Sequence, residues 1–187
     1  MIAVAKRLIN RSEYYKMAEV GILKPEDRVE LINGEIIEMS PIGSKHAAYL
    51  SRITAAIWGT ILEKFPDQFS LRIQDPIVLG DKSEPEPYLV VVSRKDDYYL
   101  SAHPNASDSK LVIEVSDTTL DYDLTSKARL YAKAEIANYW VIDIEANTIN
   151  QFTQPSNSHY QERKSLALGD KIDFLGIEIE VSSLLIH

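Results

Sequence analysis

Apolar positions along this chain alternate between a period of two and a period of three to four, and each change of period marks an element. Ser12 is placed to cap a short helix over residues 13–20 that closes at Gly21. In the run R-V-E-L-I-N-G-E-I-I-E-M, Asn33-Gly34 sits between two apolar stretches and predicts a tight hairpin. Ser44 follows as the cap of a long helix in which Ala47, Leu50, Ile53, Ile57 and Ile61 recur on one face, and Phe65-Pro66 stops it. Residues 71–79 read as one extended segment with Pro76 marking an edge or bulge, 80–86 as a turn, 88–92 as an apolar strand and 93–109 as a polar surface loop.

Residues 111–143 then spell strand, helix, strand: L-V-I-E-V-S-D, an acidic turn, K-A-R-L-Y-A-K-A, and Y-W-V-I-D. From Asn150 onward the pattern predicts a meander of strands, with T-I-N-Q-F, H-Y-Q-E-R and, after Gly176, I-E-I-E-V. Strands in this number flanked by two helices predict an α/β or α+β sandwich, and 187 residues suffice for one domain with a sizeable core.

Composition narrows the chemistry more than the fold. The chain has no cysteine, which excludes disulfides, thiolate metal sites and a cysteine nucleophile and fits a reducing compartment. Apolar runs of about five residues are too short for a membrane span, and the N-terminus M-I-A-V-A-K-R-L lacks a signal-peptide core, so the expected location is the cytoplasm. A net charge of −8 counts against a broad basic footprint for nucleic acid, although a metal-dependent nuclease also needs carboxylates.

The most informative position is Glu114. It lies in a strand whose neighbours Leu111, Val112, Ile113 and Val115 are apolar, on the face shared by Val112 and Ser116. An ionised Glu is rarely buried without a partner, and Lys127 on the following helix is the candidate partner. Such a pair can hold Mg²⁺ on the carboxylate and stabilise charge developing on a phosphate with the ammonium. Spacing alone equally allows Glu114 to face solvent on an edge strand with Lys127 as an ordinary solvated lysine. Asp117, Asp121 and Asp123 precede the helix, and a capping role for Asp121 or Asp123 explains them without catalysis. Glu30 alternates with Val29 and Leu31 in the first hairpin, where a solvent-facing position is the simpler reading, and His46 stands in the first turn of the long helix. His46, His103, His159 and His187 are scattered with no pair at metal-ligand spacing, which counts against a zinc site built on histidine. No G-x-S-x-G, P-loop or G-x-G-x-x-G occurs. The tyrosine pairs Tyr14-Tyr15 and Tyr98-Tyr99 and the Tyr139-Trp140 pair could stack on bases but read more simply as core or interface.

Taken in order, D-R-V-E-L-I-N-G-E-I-I-E-M-S-P-I-G-S-K-H, R-I-Q-D-P-I, S-E-P-E-P-Y-L-V-V-V and residues 111–143 resemble the Uma-two-like family of restriction endonucleases, within the PD-(D/E)XK nuclease superfamily. The resemblance covers residues 8–152 well and implies a mixed β-sheet flanked by helices, with Mg²⁺- or Mn²⁺-dependent hydrolysis of DNA phosphodiester bonds. In the family pattern the metal is held by an Asp after a Pro and by a strand Glu. The Glu falls on Glu114 and the motif lysine on Lys127, while Glu30 and His46 fall on positions the family fills with the same residue types. Where the pattern has Pro-Asp this chain has Pro87-Tyr88, and a phenol is neutral at pH 7. Glu86, Glu84 or Asp75 stand near enough in sequence to replace the lost ligand, Glu86 on the same strand face as position 88. Two functions follow from the resemblance: an endonuclease with a rearranged ligand set, in which Glu114 holds the metal, Lys127 positions the water and Glu30 supports it, or a nuclease-fold binding or regulatory module that has lost catalysis. An unrelated α/β domain with structural carboxylates is the third reading. A sheet edge and exposed aromatics point to a homodimer.

Overall fold

The computed structural model describes residues 5–186. Met1–Val4, which carry half of the N-terminal stretch read above as lacking a signal peptide, and His187, the last of the scattered histidines, lie outside the described residues. The elements are α1 (Arg11–Glu19), β1 (Val29–Ile32), β2 (Glu35–Glu38), α2 (Ser44–Lys64), β3 (Phe69–Ile73), β4 (Leu89–Ser93), β5 (Ser109–Ser116), α3 (Leu120–Tyr122), a π-helical turn (Asp123–Lys127), α4 (Ala128–Lys133), β6 (Asn138–Asp143), β7 (Thr148–Ser156), β8 (His159–Leu166), β9 (Lys171–Phe174), β10 (Ile177–Glu180) and α5 (Val181–Leu184).

Six strands form one mixed sheet in the order β3-β4-β5-β6-β7-β8. All neighbours are antiparallel except β5 and β6, which run parallel with Glu114 opposite Val141. A parallel pair needs a crossover, and residues 120–133 supply it as one helical segment.

Side-chain alternation splits the core in two. Leu89, Val91, Leu111, Ile113, Trp140 and Ile142 face α2, α5 and the β9–β10 hairpin. Val90, Val92, Val112, Tyr139, Val141 and Phe152 face Ala128 and Tyr131 of α4. Each fully buried isoleucine or leucine contributes roughly 1.5–3 kcal/mol.

Helix α2 buries a strict four-residue stripe, Tyr49, Ile53, Ile57 and Ile61. The stripe expected from the sequence began at Ala47 and Leu50, but Ala47 is exposed and Leu50 half-buried. Tyr49 goes inside because its hydroxyl finds a partner, donating to Asn147 Oδ1 at 2.7 Å. Both expected caps shift as well. Ser44 is the first helical residue, with Gly43 at the cap position. At α1 the cap is Asn10, two residues before Ser12, because Asn10 and Glu13 satisfy each other's backbone amides in a capping box.

The β1–β2 hairpin turns at Asn33 (φ 51°) and Gly34 (φ 83°), both in the left-handed region the sequence pair favours. A Cβ at position 34 would stand 2.7 Å from Leu8 Cβ and 2.9 Å from the Ile9 carbonyl oxygen. The hairpin is fastened to the following loop by Glu84, whose amide donates to the Leu31 carbonyl at 2.7 Å. Glu84 is itself buried and accepts from Arg11 and Tyr15 of α1.

The single extended segment expected over 71–79 is broken. β3 ends at Ile73, and Gln74 turns at φ 52°. Arg72 and Asp75 pair across the turn at 3.0 Å, and the Gln74 amide donates to the Tyr88 carbonyl at 3.2 Å. That bond helps to set Tyr88 at the entrance of β4.

Candidate active site

β5 is an interior strand, so Glu114 cannot reach solvent sideways, and the alternation of Val112, Glu114 and Ser116 sends it to the α4 face. Its residue is 2% exposed. Lys127, at the end of the π-helical turn, is 6% exposed and donates to Glu114 Oε1 at 2.9 Å. The Tyr131 hydroxyl donates to the same oxygen at 2.8 Å. Lys127 Nζ also lies 3.1 Å from Glu30 Oε1, and Glu30 Oε2 accepts the Glu86 amide at 3.1 Å. The second oxygen of Glu114 accepts the Tyr88 amide at 3.3 Å. Leu89 pairs with Ile113, so Tyr88 and Glu114 are the next residues outward along the antiparallel pair. Neither solvent-facing alternative survives: Glu30, Glu114 and Lys127 form one buried ion-pair triad drawn from β1, β5 and the crossover.

Asp123 opens the π-helical turn and is buried. The capping role expected for Asp121 or Asp123 is not found: Thr119 holds the cap position, and the Asp123 carboxylate instead accepts from Ser116 Oγ at 2.6 Å and Thr119 Oγ1 at 2.8 Å. Asp117 and Asp121 are exposed. Asp123 and Tyr131 are the polar residues the sequence reading undervalued. The signal was the spacing Asp123, Lys127, Tyr131, three polar groups four apart on a helix that packs on an apolar strand.

His46 stacks flat on Tyr88, with ring centroids 4.5 Å apart and planes 10° from parallel. Its Nε2 meets the Val115 carbonyl oxygen. A carbonyl only accepts, so this nitrogen carries the proton. Glu30, His46, Glu86, Tyr88, Glu114, Asp123 and Lys127 thus line one cavity of about 360 Å³, closed on other sides by Arg28, Met39, Pro41 and Tyr122. Glu84 is drawn off into the α1 network and Asp75 into its pair with Arg72.

Burial pushes the Glu114 carboxyl up to about 7, against the pull of Lys127 and with the push of Asp123 and Glu30. Burial works against the Lys127 ammonium too, but Glu114, Glu30 and Asp123 together outweigh it and raise its proton affinity above the ordinary value. Glu86 is raised by burial and by Glu30. Burial and Glu114 push the Tyr88 phenol up to about 12, so it stays neutral at physiological pH. Buried ion pairs of this kind seldom add stability over an apolar replacement.

Mg²⁺ takes oxygen ligands, commonly one or two carboxylates with water. One oxygen of Glu114 is held by Lys127 and Tyr131, and the Val115 carbonyl by His46. Tyr88 offers a neutral phenol in place of a carboxylate. Among the described residues, no three His, Cys, Asp or Glu side chains are grouped to hold a metal ion. As built, the donors do not fit a directly bound divalent ion.

The six-stranded mixed sheet with its parallel β5–β6 crossover and flanking helices belongs to the restriction-endonuclease-like class of α+β folds. A family model described as "Putative restriction endonuclease" matches residues 11–184, and the chain belongs to that family. No curated protein matches it. Among solved structures it is similar to one from Anabaena variabilis described as "a putative nuclease belonging to DUF820", with 16% identity, a TM-score of 0.69, and coverage of 94% of this chain and 97% of that one. At that identity the likeness speaks for the fold. No described helix is long and apolar enough to cross a membrane.

Proposed function

We propose that this chain is a nuclease-fold module that keeps the ion-pair core of its family but does not cut phosphodiester bonds as built, and that it acts by binding. The observation that carries this reading is Tyr88, a neutral phenol where the family pattern has the metal-binding Asp, facing the same cavity as Glu114. Family membership supports DNA as the partner. The cysteine-free sequence supports a cytoplasmic setting, and we treat residues 1–187 as one domain. A homodimer is supported by the unpaired β3 edge of the sheet, where Ile73 is exposed, whereas the opposite edge, β8, carries Glu162, Arg163 and Lys164.

A second reading has one specific observation in its favour. Glu86 lines the same cavity half-buried, with its carboxyl raised by burial and by Glu30. In that reading the protein is an endonuclease dependent on Mg²⁺ or Mn²⁺, with Glu114 and Glu86 as ligands, Lys127 orienting water and Glu30 holding Lys127.

A plasmid-nicking assay with Mg²⁺ and with Mn²⁺ separates the two, comparing the natural chain with Tyr88→Asp, Glu114→Ala and Glu114→Gln. The binding-module reading expects no cleavage by the natural chain at high protein excess. Cleavage by the natural chain that both Glu114 variants abolish, with the Gln variant folded, replaces it with the endonuclease reading.

A further inference from the structure

We propose that the cavity over the ion-pair triad receives one unpaired, amino-bearing nucleobase, stacked on Tyr88. This deepens the reading that the chain binds and does not cut, and it rests on that reading. The buried floor of the cavity is already satisfied. Lys127 is taken up by Glu114 and Glu30, and the Asp123 carboxylate by Ser116 and Thr119. The walls are not satisfied. Glu86 and Tyr88 use their backbone amides on Glu30 and Glu114. Their side-chain ends, with those of Gln74 and Tyr122, line the cavity and carry no hydrogen bond or ion pair among the described residues. A ligand therefore meets two phenols, an amide and a carboxylate, all half-buried.

Charge argues against a phosphate inside. Carboxylates outnumber cations in the lining by six to two, and one of those cations, Lys127, is already neutralised. The other, Arg28, is exposed, and its only hydrogen bond among the described residues is to the Ser40 carbonyl at 3.4 Å, so it is left for a strand's phosphate outside. Size and surface favour a flat, uncharged ring. The cavity of about 360 Å³ lies within the range of small-ligand pockets, ~300–1,000 Å³. Where the family pattern has Asp, position 88 supplies an aromatic ring, and the His46 ring stacked on it at 4.5 Å fixes its plane. Any base stacks on such a ring, because every base has a π-face. Hydrogen bonding then selects among bases. A carboxylate such as Glu86 accepts from the amino groups of cytosine and adenine, whereas thymine presents a carbonyl oxygen at the corresponding place. The base must come unpaired, because a base inside a duplex offers the cavity neither its face nor its Watson–Crick edge.

Fluorescence anisotropy in EDTA tests this with a short labelled all-thymine DNA strand, the same strand with one central cytosine, and the duplex of the latter. The expected result is at least tenfold tighter binding of the cytosine strand than of either other probe. Tyr88→Leu, or Tyr122→Leu if that variant does not fold, is expected to bring the cytosine strand down to the all-thymine level, and Glu86→Gln to shrink the preference. Displacement by free deoxycytidine assigns the recognition to the base alone and its absence to a base carried by a strand; the proposal is supported either way once the Tyr88→Leu loss is seen. Equal binding of the two single strands, or a preference that survives in folded Tyr88→Leu, overturns the proposal and leaves the binding-module reading intact. Cleavage of either strand by the natural chain on addition of Mn²⁺ overturns that reading and the proposal with it.

Discussion

Replacing Lys127 with methionine tests the energetics of the triad directly. The side chain keeps its unbranched shape, is one atom shorter and loses its charge, leaving Glu30 and Glu114 at 2% exposure each with no cation between them. In the natural protein Nζ stands 2.9 Å from Glu114 and 3.1 Å from Glu30. Removing one partner of a buried ion pair costs about 3–5 kcal/mol, because the remaining charge is left uncompensated. Two carboxylates lose their partner here, which puts Lys127→Met at or above the upper end of that range at pH 8. Protonation relieves the cost. Glu114 has a raised folded-state proton affinity, so the stability linked to it is present at low pH and is lost as pH rises through that raised value. Urea unfolding at pH 5 and pH 8 checks this. The loss is expected to shrink at pH 5, and the triple variant Lys127→Met/Glu30→Gln/Glu114→Gln is expected to recover most of the stability at pH 8. A loss under about 1 kcal/mol that is the same at both pH values would refute the reasoning, because Lys127 would then not be neutralising two buried charges.

Two further outcomes follow from the same coordinates. Glu114 is raised from 4.5 to about 7, so the folded state binds its proton more tightly and the stability linked to it declines between those values as pH rises; Glu114→Gln, which keeps an oxygen for Lys127 and Tyr131, is expected to flatten that decline by about 3 kcal/mol, measured as unfolding free energy against pH. Gly34→Ala is expected to cost about 1–3 kcal/mol in thermal or urea unfolding, because the new Cβ meets Leu8 Cβ at 2.7 Å and the backbone stands at φ 83°.

Much of this architecture is legible in local chemistry. The Asn33-Gly34 hairpin and the strand-helix-strand unit follow from period and turn residues, and the cost of burying a lone charge made Lys127 the candidate partner of Glu114 while spacing left a solvent-facing Glu114 equally open. Tertiary partners hid the rest. Tyr49 displaced Ala47 from the buried face because Asn147, ninety-eight residues away, satisfies its hydroxyl. Asp123 looked like a helix cap because nothing local showed that Ser116 would fold back to it. His46 gave no sign that its ring would reach the Val115 carbonyl, since that contact depends on where β4 stops pairing with β5.

The π-helical turn has a consequence for how such a site is gained or lost. An α-helix advances about 100° per residue, so residues eight apart end about 80° out of line. Asp123 and Tyr131 are eight apart, yet both are buried against the sheet with Lys127 between them. One extra residue in the turn absorbs the mismatch, as if the two were seven apart. Deleting one residue between Asp123 and Lys127 would restore a regular helix and keep Asp123 and Tyr131 in line, but it would leave Lys127 three residues after Asp123 and about 60° off that line. In this fold a deletion that improves the helix can therefore erase the chemistry without changing any of the residues that carry it.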